Sequence, residues 1–108
     1  MNKVTGIPIL FCLLCINAAL ADPILVKVGA TLPLTGRLAI AGQDARRGIE
    51  LAIKEFTSPS VKLEAVFDDN QHDAKLAVSS ARKLLDIDRV NVLISMWDMA
   101  DVIAPMAE

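Results

Sequence analysis
Three short clusters hold the side chains best suited to chemistry. Asp68, Asp69, His72 and Asp73 combine carboxylates with an imidazole, the ligand types of Zn or Mn. Their spacing matches no calcium loop, and carboxylates at a helix start are equally explained by the helix dipole. Asp73 is placed to cap the helix that follows, and His72 reads as a solvated loop histidine. Neither a metal nor a cofactor is therefore expected. Cys12 and Cys15 have the C-x-x-C spacing of a redox or metal pair, but both lie in an N-terminal apolar run. The third cluster is Ser95-Met96-Trp97-Asp98-Met99, which contains the single tryptophan. Trp97 suits stacking on a guest and equally suits packing beneath its loop. Asp98 suits helix capping, worth about 1 kcal/mol with Asp101 adding charge nearby, a role compatible with facing a ligand.

Recognised catalytic signatures are missing from the sequence. Gly36, Gly42 and Gly48 are spaced six apart, whereas a dinucleotide fingerprint needs spacings of two and three. There is no serine nucleophile elbow and no Walker loop. Gly36 and Gly42 suit a tight turn, with a ligand cradle as the alternative.

The composition narrows the classes further. The 108 residues are 54% hydrophobic and 22% charged, which excludes a disordered chain. Eleven basic against 13 acidic residues, with no polybasic run, argue against a nucleic-acid partner. Lys3, the apolar run Ile7 to Ile16 and Ala19-Leu20-Ala21 form an export signal, residues 1–21, with cleavage expected after Ala21. Thr5, Gly6, Pro8 and Asn17 dilute this stretch, leaving it marginal as a bilayer span. Cys12 follows Leu10-Phe11 and Cys15 follows Leu13-Leu14, whereas a lipid-anchored cysteine needs small residues before it, so no lipid anchor is expected. Residues 22–108 then contain no cysteine and rely on packing without a disulfide. So small a piece is only marginally able to bury a core alone.

The elements that must position these clusters alternate. Ile24 to Ala30 is a β-branched apolar run ending at the breakers of Leu32-Pro33-Leu34-Thr35-Gly36. Ala45, Ile49, Ala52, Ile53 and Phe56 recur at helical spacing over Gln43 to Phe56, with a surface pair expected between Glu50 and Lys54. Val61 to Phe67 reads as a second strand. Ala74, Ala77, Val78, Ala81, Leu84 and Leu85 form a second helical stripe. Val90 to Ile94 is a third strand, and Asp98 or a neighbour opens a third helix through Ala100, Ile103 and Ala107. The order βαβαβα predicts an α/β fold, a doubly wound parallel sheet with right-handed crossovers and helices on both faces. Ligands of such sheets sit at the carboxyl ends of the strands, near the reversal of strand order. The loops there are Leu32 to Ala41, Asp68 to Asp73 and Ser95 to Met99.

Several segments, taken in order, carry a family resemblance. They are Val26-Lys27-Val28-Gly29, Leu32-Pro33-Leu34-Thr35-Gly36, Gly42 to Ala52, Phe67-Asp68-Asp69 with Asp73, Ala81 to Leu85, and Ala104-Pro105-Met106-Ala107-Glu108. This series resembles the start of the type I periplasmic solute-binding proteins, in particular the leucine/isoleucine/valine-binding branch that feeds ABC importers. The resemblance implies two α/β lobes that close on a small-molecule solute without catalysis, in the periplasm, with an ABC permease of the inner membrane as partner. It makes residues 22–108 the N-terminal part of an incomplete first lobe, a truncated product or a partial sequence. It also assigns ligand-facing positions to Ser95, Trp97, Asp98, Met99 and Ala41. Ala41 stands where the family often has a stacking aromatic, and Ser95 stands where it often has glycine. An Asp98 buried in the cleft would repel a carboxylate, which favours an amine, an amide or a neutral solute over the usual amino-acid pose. A ligand-sensing domain of the same fold in a receptor or regulator is the alternative, followed by a periplasmic α/β enzyme. The leader argues against a cytoplasmic phospho-acceptor receiver domain, which shares the alternation of elements.

Overall fold
The computed structural model describes residues 21–108. The expected leader, with Cys12 and Cys15, lies outside the described residues except for Ala21. Strand β1 is Ile24–Leu32, helix α1 Ala39–Phe56, strand β2 Val61–Asp69, helix α2 Ala74–Arg82, strand β3 Val92–Ser95 and helix α3 Asp98–Ile103. A π-helical turn, Lys83–Ile87, extends α2, and a 3-10 turn, Ala104–Met106, extends α3. The three strands form a parallel sheet in the order β2-β1-β3. Among the described residues no helix is long and apolar enough to cross a membrane.

Register shows how the layers form. Ala30 of β1 is level with Phe67 and Ile94, while Gly29 is level with Val66 and Leu93. Successive residues of a strand point to opposite faces, so Phe67 and Leu93 lie on opposite sides of the sheet. The guanidinium of Arg46 on α1 sits 4.8 Å from the centre of the Phe67 ring, which places α1 on one face. Leu93 packs against the core cluster of Ala77 and Ala81 from α2 with Met99 and Ile103 from α3, which places these helices on the other. The predicted doubly wound arrangement is present as a partial lobe.

The helix termini explain most boundaries. Asp73 caps α2 as expected, its Oδ1 accepting from the amides of Lys75 at 2.9 Å and Leu76 at 3.0 Å. Helix α1 starts at Ala39 rather than Gln43, because the Gly36 turn supplies the first carbonyl: the Ala39 amide donates to Gly36 O at 3.2 Å. Strand β3 starts at Val92 rather than Val90. Asn91 occupies the preceding rung, its side chain accepting from the Lys27 amide and its own amide donating to Lys27 O, both at 2.8 Å. Glu50 pairs with Arg46 at 2.8 Å rather than with Lys54, and Arg47 pairs with Asp44.

The three glycines before and within α1 differ in their surroundings. Gly36 is the turn residue, with φ of 85°. Gly42, by contrast, is neither turn nor cradle: it is the buried residue of α1, pressed against the backbone of Pro33. Gly48 has open space where a Cβ would go. Gly48→Ala is therefore expected to stabilise the fold by about 0.5–1 kcal/mol through helix propensity, read as a higher urea midpoint at unchanged slope.

Candidate functional site
From β1 the chain moves outward to β2 and then crosses back to β3 on the far side of β1, so strand order reverses between β1 and β3. The crevice of a doubly wound sheet opens at this point, above the carboxyl ends of the strands. Three segments meet there: the Pro33 to Leu38 loop after β1, Asn70 to Asp73 after β2, and Met96-Trp97 after β3.

Asp69 fastens the first of these segments to the second. Its Oδ1 accepts from the amides of Leu34 at 2.8 Å, Thr35 at 3.3 Å and Gln71 at 3.0 Å, and its Oδ2 accepts from Thr35 Oγ1 at 2.5 Å. Partial burial pushes the Asp69 carboxyl up, but the Thr35 hydroxyl and the Gln71, Leu34 and Thr35 amides outweigh it and hold it below the ordinary carboxylate value. Gln43 of α1 reaches the same loop, its Nε2 donating to Leu34 O at 3.0 Å. Beneath these contacts, buried Asn70 donates through Nδ2 to Thr31 Oγ1 at 3.2 Å. Asn70 Oδ1 accepts from the His72 amide at 2.9 Å.

The acidic cluster thus divides its labour instead of converging. Asp69 ties loops, Asp73 caps α2, and Asp68 faces Lys83 Nζ at 3.6 Å. Lys83 also bonds Asp88 at 3.0 Å, and that carboxylate holds its ammonium above the ordinary lysine value. Among the described residues no three His, Cys, Asp or Glu side chains are grouped to hold a metal ion.

His72 is not the solvated loop residue the sequence suggests. Only 25% of its side chain is exposed, and its Nδ1 is buried without a hydrogen-bond partner among the described residues. Its ring meets Trp97 edge to face, with centroids 5.7 Å apart and planes at 84°. Its Nε2 lies 3.5 Å from Asp98 Oδ1. Trp97 itself is 51% exposed and has φ of 51°, a value that is strained for a bulky residue by about 1–3 kcal/mol.

The five residues expected to face a ligand are not gathered in one place. Trp97 and Asp98 are together at the mouth. Asp98 is not a side-chain cap: it is the first residue of α3, while Trp97 holds the cap position without a side-chain bond. Nor is Asp98 buried, since 67% of its side chain is exposed, so the desolvation penalty that would repel a carboxylate does not apply in full. Met99 points into the core with 6% exposure. Ser95 lies level with Thr31, with its Oγ buried and unpartnered among the described residues. It lines a shallow apolar depression of about 170 Å³ with Leu93, Ala100, Ile103, Ala104 and Ala107. Ala41 sits in the first turn of α1, beside Gly42. The mouth therefore offers a half-exposed indole beside a carboxylate, a combination for holding a guest by stacking and hydrogen bonding.

Comparison with known proteins bears on the family and the fold. Residues 25–108 match the family model described as periplasmic binding protein. The chain belongs to the periplasmic binding protein family. It is 36% identical over 96 residues to the Leu/Ile/Val-binding protein homolog 8 of Brucella abortus, a match covering 82% of this chain and 22% of that relative. A leucine-binding protein from Thermotoga maritima superposes with a TM-score of 0.70 at 29% identity, covering 77% of this chain and 25% of that one. A solute-binding protein of an ABC transporter from Rhodopseudomonas palustris, solved with 3,4-dihydroxybenzoic acid, gives 0.69 at 30% identity, covering 77% and 24%. The chain thus spans about a fifth of the length of the curated relatives it matches.

Two residues of the mouth, Asp69 and His72, stand out in the sequence but have roles that it does not reveal. The role of Asp69 was hidden in an acidic run that a helix dipole accounts for, although its position at the end of an apolar strand marks it as a strand-tip residue. His72 stood out only as an imidazole in an acidic loop, because its approach to Trp97 depends on the parallel pairing of both their strands with β1.

Proposed function
We propose that residues 22–108 are the opening part of the first lobe of a two-lobed periplasmic solute receptor for an ABC importer, delivering its cargo to an inner-membrane permease without catalysis. The single observation that carries this reading is the half-exposed Trp97 beside Asp98 at the strand-order reversal, in a chain of this family. The cargo is a small polar solute: a branched-chain amino acid, an amide or a related compound. An exposed carboxylate at the mouth favours a guest that presents an amine or amide N–H to it and rests an apolar body on the indole. Export through the leader and closure of a second lobe belong to the same reading.

Isothermal titration of the two-lobed protein against leucine, isoleucine, valine, their amides and short amines tests it. Binding without turnover is expected, and chemical conversion of any of them would overturn the reading. Trp97→Ala is expected to weaken the affinity about tenfold, the equivalent of roughly 1.4 kcal/mol, with little change in melting temperature. Lost stability at unchanged affinity would assign Trp97 to packing instead.

A further inference from the structure
We propose that His72 is the positioning residue of the mouth, holding the Trp97 indole and the Asp98 carboxylate together as one preassembled aromatic-and-acid element. Two loops bring left-handed backbone to the same point: Gln71 and His72 after β2 with φ of 50° and 57°, and Trp97 after β3 with φ of 51°. Non-glycine residues rarely adopt this region, and where they do the surroundings must hold them. The ring contact of His72 with Trp97 joins the two strained loops directly.

The backbone of His72 is anchored to the sheet, and its ring is held by packing and by the approach to Asp98. Its backbone amide is held by Asn70, which bonds Thr31 in the sheet, and Asn70 and Thr31 are both fully buried. Its Nδ1 has no partner among the described residues, so ring packing and the approach of Nε2 to Asp98 at 3.5 Å set its orientation. The His72 ring thus touches the indole and approaches the carboxylate at once, and a contact element that is already ordered loses less freedom when a guest arrives. The ligand class follows from the Proposed function, on which this part of the inference rests: a solute with an amine or amide N–H beside an apolar or aromatic body. The clasp itself does not depend on it.

The 108-residue chain has one tryptophan and no tyrosine, so its emission reports Trp97 alone. Acrylamide quenching of that emission is expected to rise about twofold in His72→Ala, as the indole loses its ring neighbour, and to return near the wild-type value in His72→Phe, which restores an aromatic edge. Urea midpoints measured alongside separate this from loss of fold. An unchanged quenching constant in folded His72→Ala overturns the proposal. Should that variant fail to fold, a nuclear Overhauser contact between the His72 and Trp97 rings in the wild-type chain is expected, and its absence overturns the proposal equally. Neither measurement needs a solute. A clasp that is present while no compound of the panel binds would overturn the solute reading and leave His72 holding Trp97.

Discussion

Gly42→Ala is expected to lower the melting temperature by about 8–16 °C, the reverse of what helix propensity alone predicts. A Cβ built at Gly42 falls 2.0 Å from Pro33 O and 2.6 Å from Pro33 C, distances at which something must shift. The obstacle is backbone, and Pro33 is itself fully buried at the end of β1, so no side-chain rotation relieves the clash. Overpacking of this kind costs about 3 kcal/mol, against which the alanine returns about 1 kcal/mol of propensity. The net loss is about 2 kcal/mol. Gly48→Ala, in the same helix with nothing within 4 Å of the new methyl, is the matched control and is expected to move the other way. Circular-dichroism melts of the pair decide the matter. If Gly42→Ala melts at or above the wild type, α1 does not pack on the strand tip as described.

The contrast between these glycines shows where sequence reading stops. Alternating apolar runs and helical stripes suffice to place three strands and three helices in order, because each element's period is written in its own residues. The Asp73 cap is legible for the same reason, since its partners are only two and three residues away. Gly42 looks like a loop glycine from its neighbours, and only the approach of Pro33 shows that it is a helical contact. Register and strand order are likewise non-local: nothing within β3 says that it pairs with β1 on the side opposite β2. The site divides in the same way. Trp97 and Asp98 are conspicuous as residue types at a strand end, and the structure puts both at the mouth. Met99 has the same local credentials, but one further step along the helix turns it into the core with Ala77 and Ala81. His72 joins the site only because β2 and β3 flank β1 in parallel, which brings the two carboxyl-end loops to the same edge.

Asp69→Ala is expected to cost about 2 kcal/mol at neutral pH and to remove a component of acid sensitivity that the wild type shows. The carboxylate accepts four hydrogen bonds, from the amides of Leu34, Thr35 and Gln71 and from the Thr35 hydroxyl. Hydrogen bonds to a charged acceptor contribute about 1.5–3 kcal/mol each when buried, but most of these donors are exposed and regain water when the carboxylate goes, which reduces the sum to about 2 kcal/mol. The sign of the pH effect follows from the direction of the shift. The carboxyl of the folded chain lies below its ordinary value, so the folded state favours the charged form. Its contribution is therefore complete above the unfolded value of about 3.9 and is lost as pH falls below it through the folded value. Urea midpoints at neutral pH and in the acid range below about pH 4 are expected to converge for wild type and variant as the pH falls. Hydrogen exchange adds a local readout, since the Leu34 and Thr35 amides lose their acceptor and should exchange faster, while amides in the body of β1 remain protected. Equal pH dependence in the two proteins would remove Asp69 from its place as the tie between the first two loops. Faster exchange confined to Leu34 and Thr35 would show that one carboxylate at the end of β2 holds the loop after β1 in its shape.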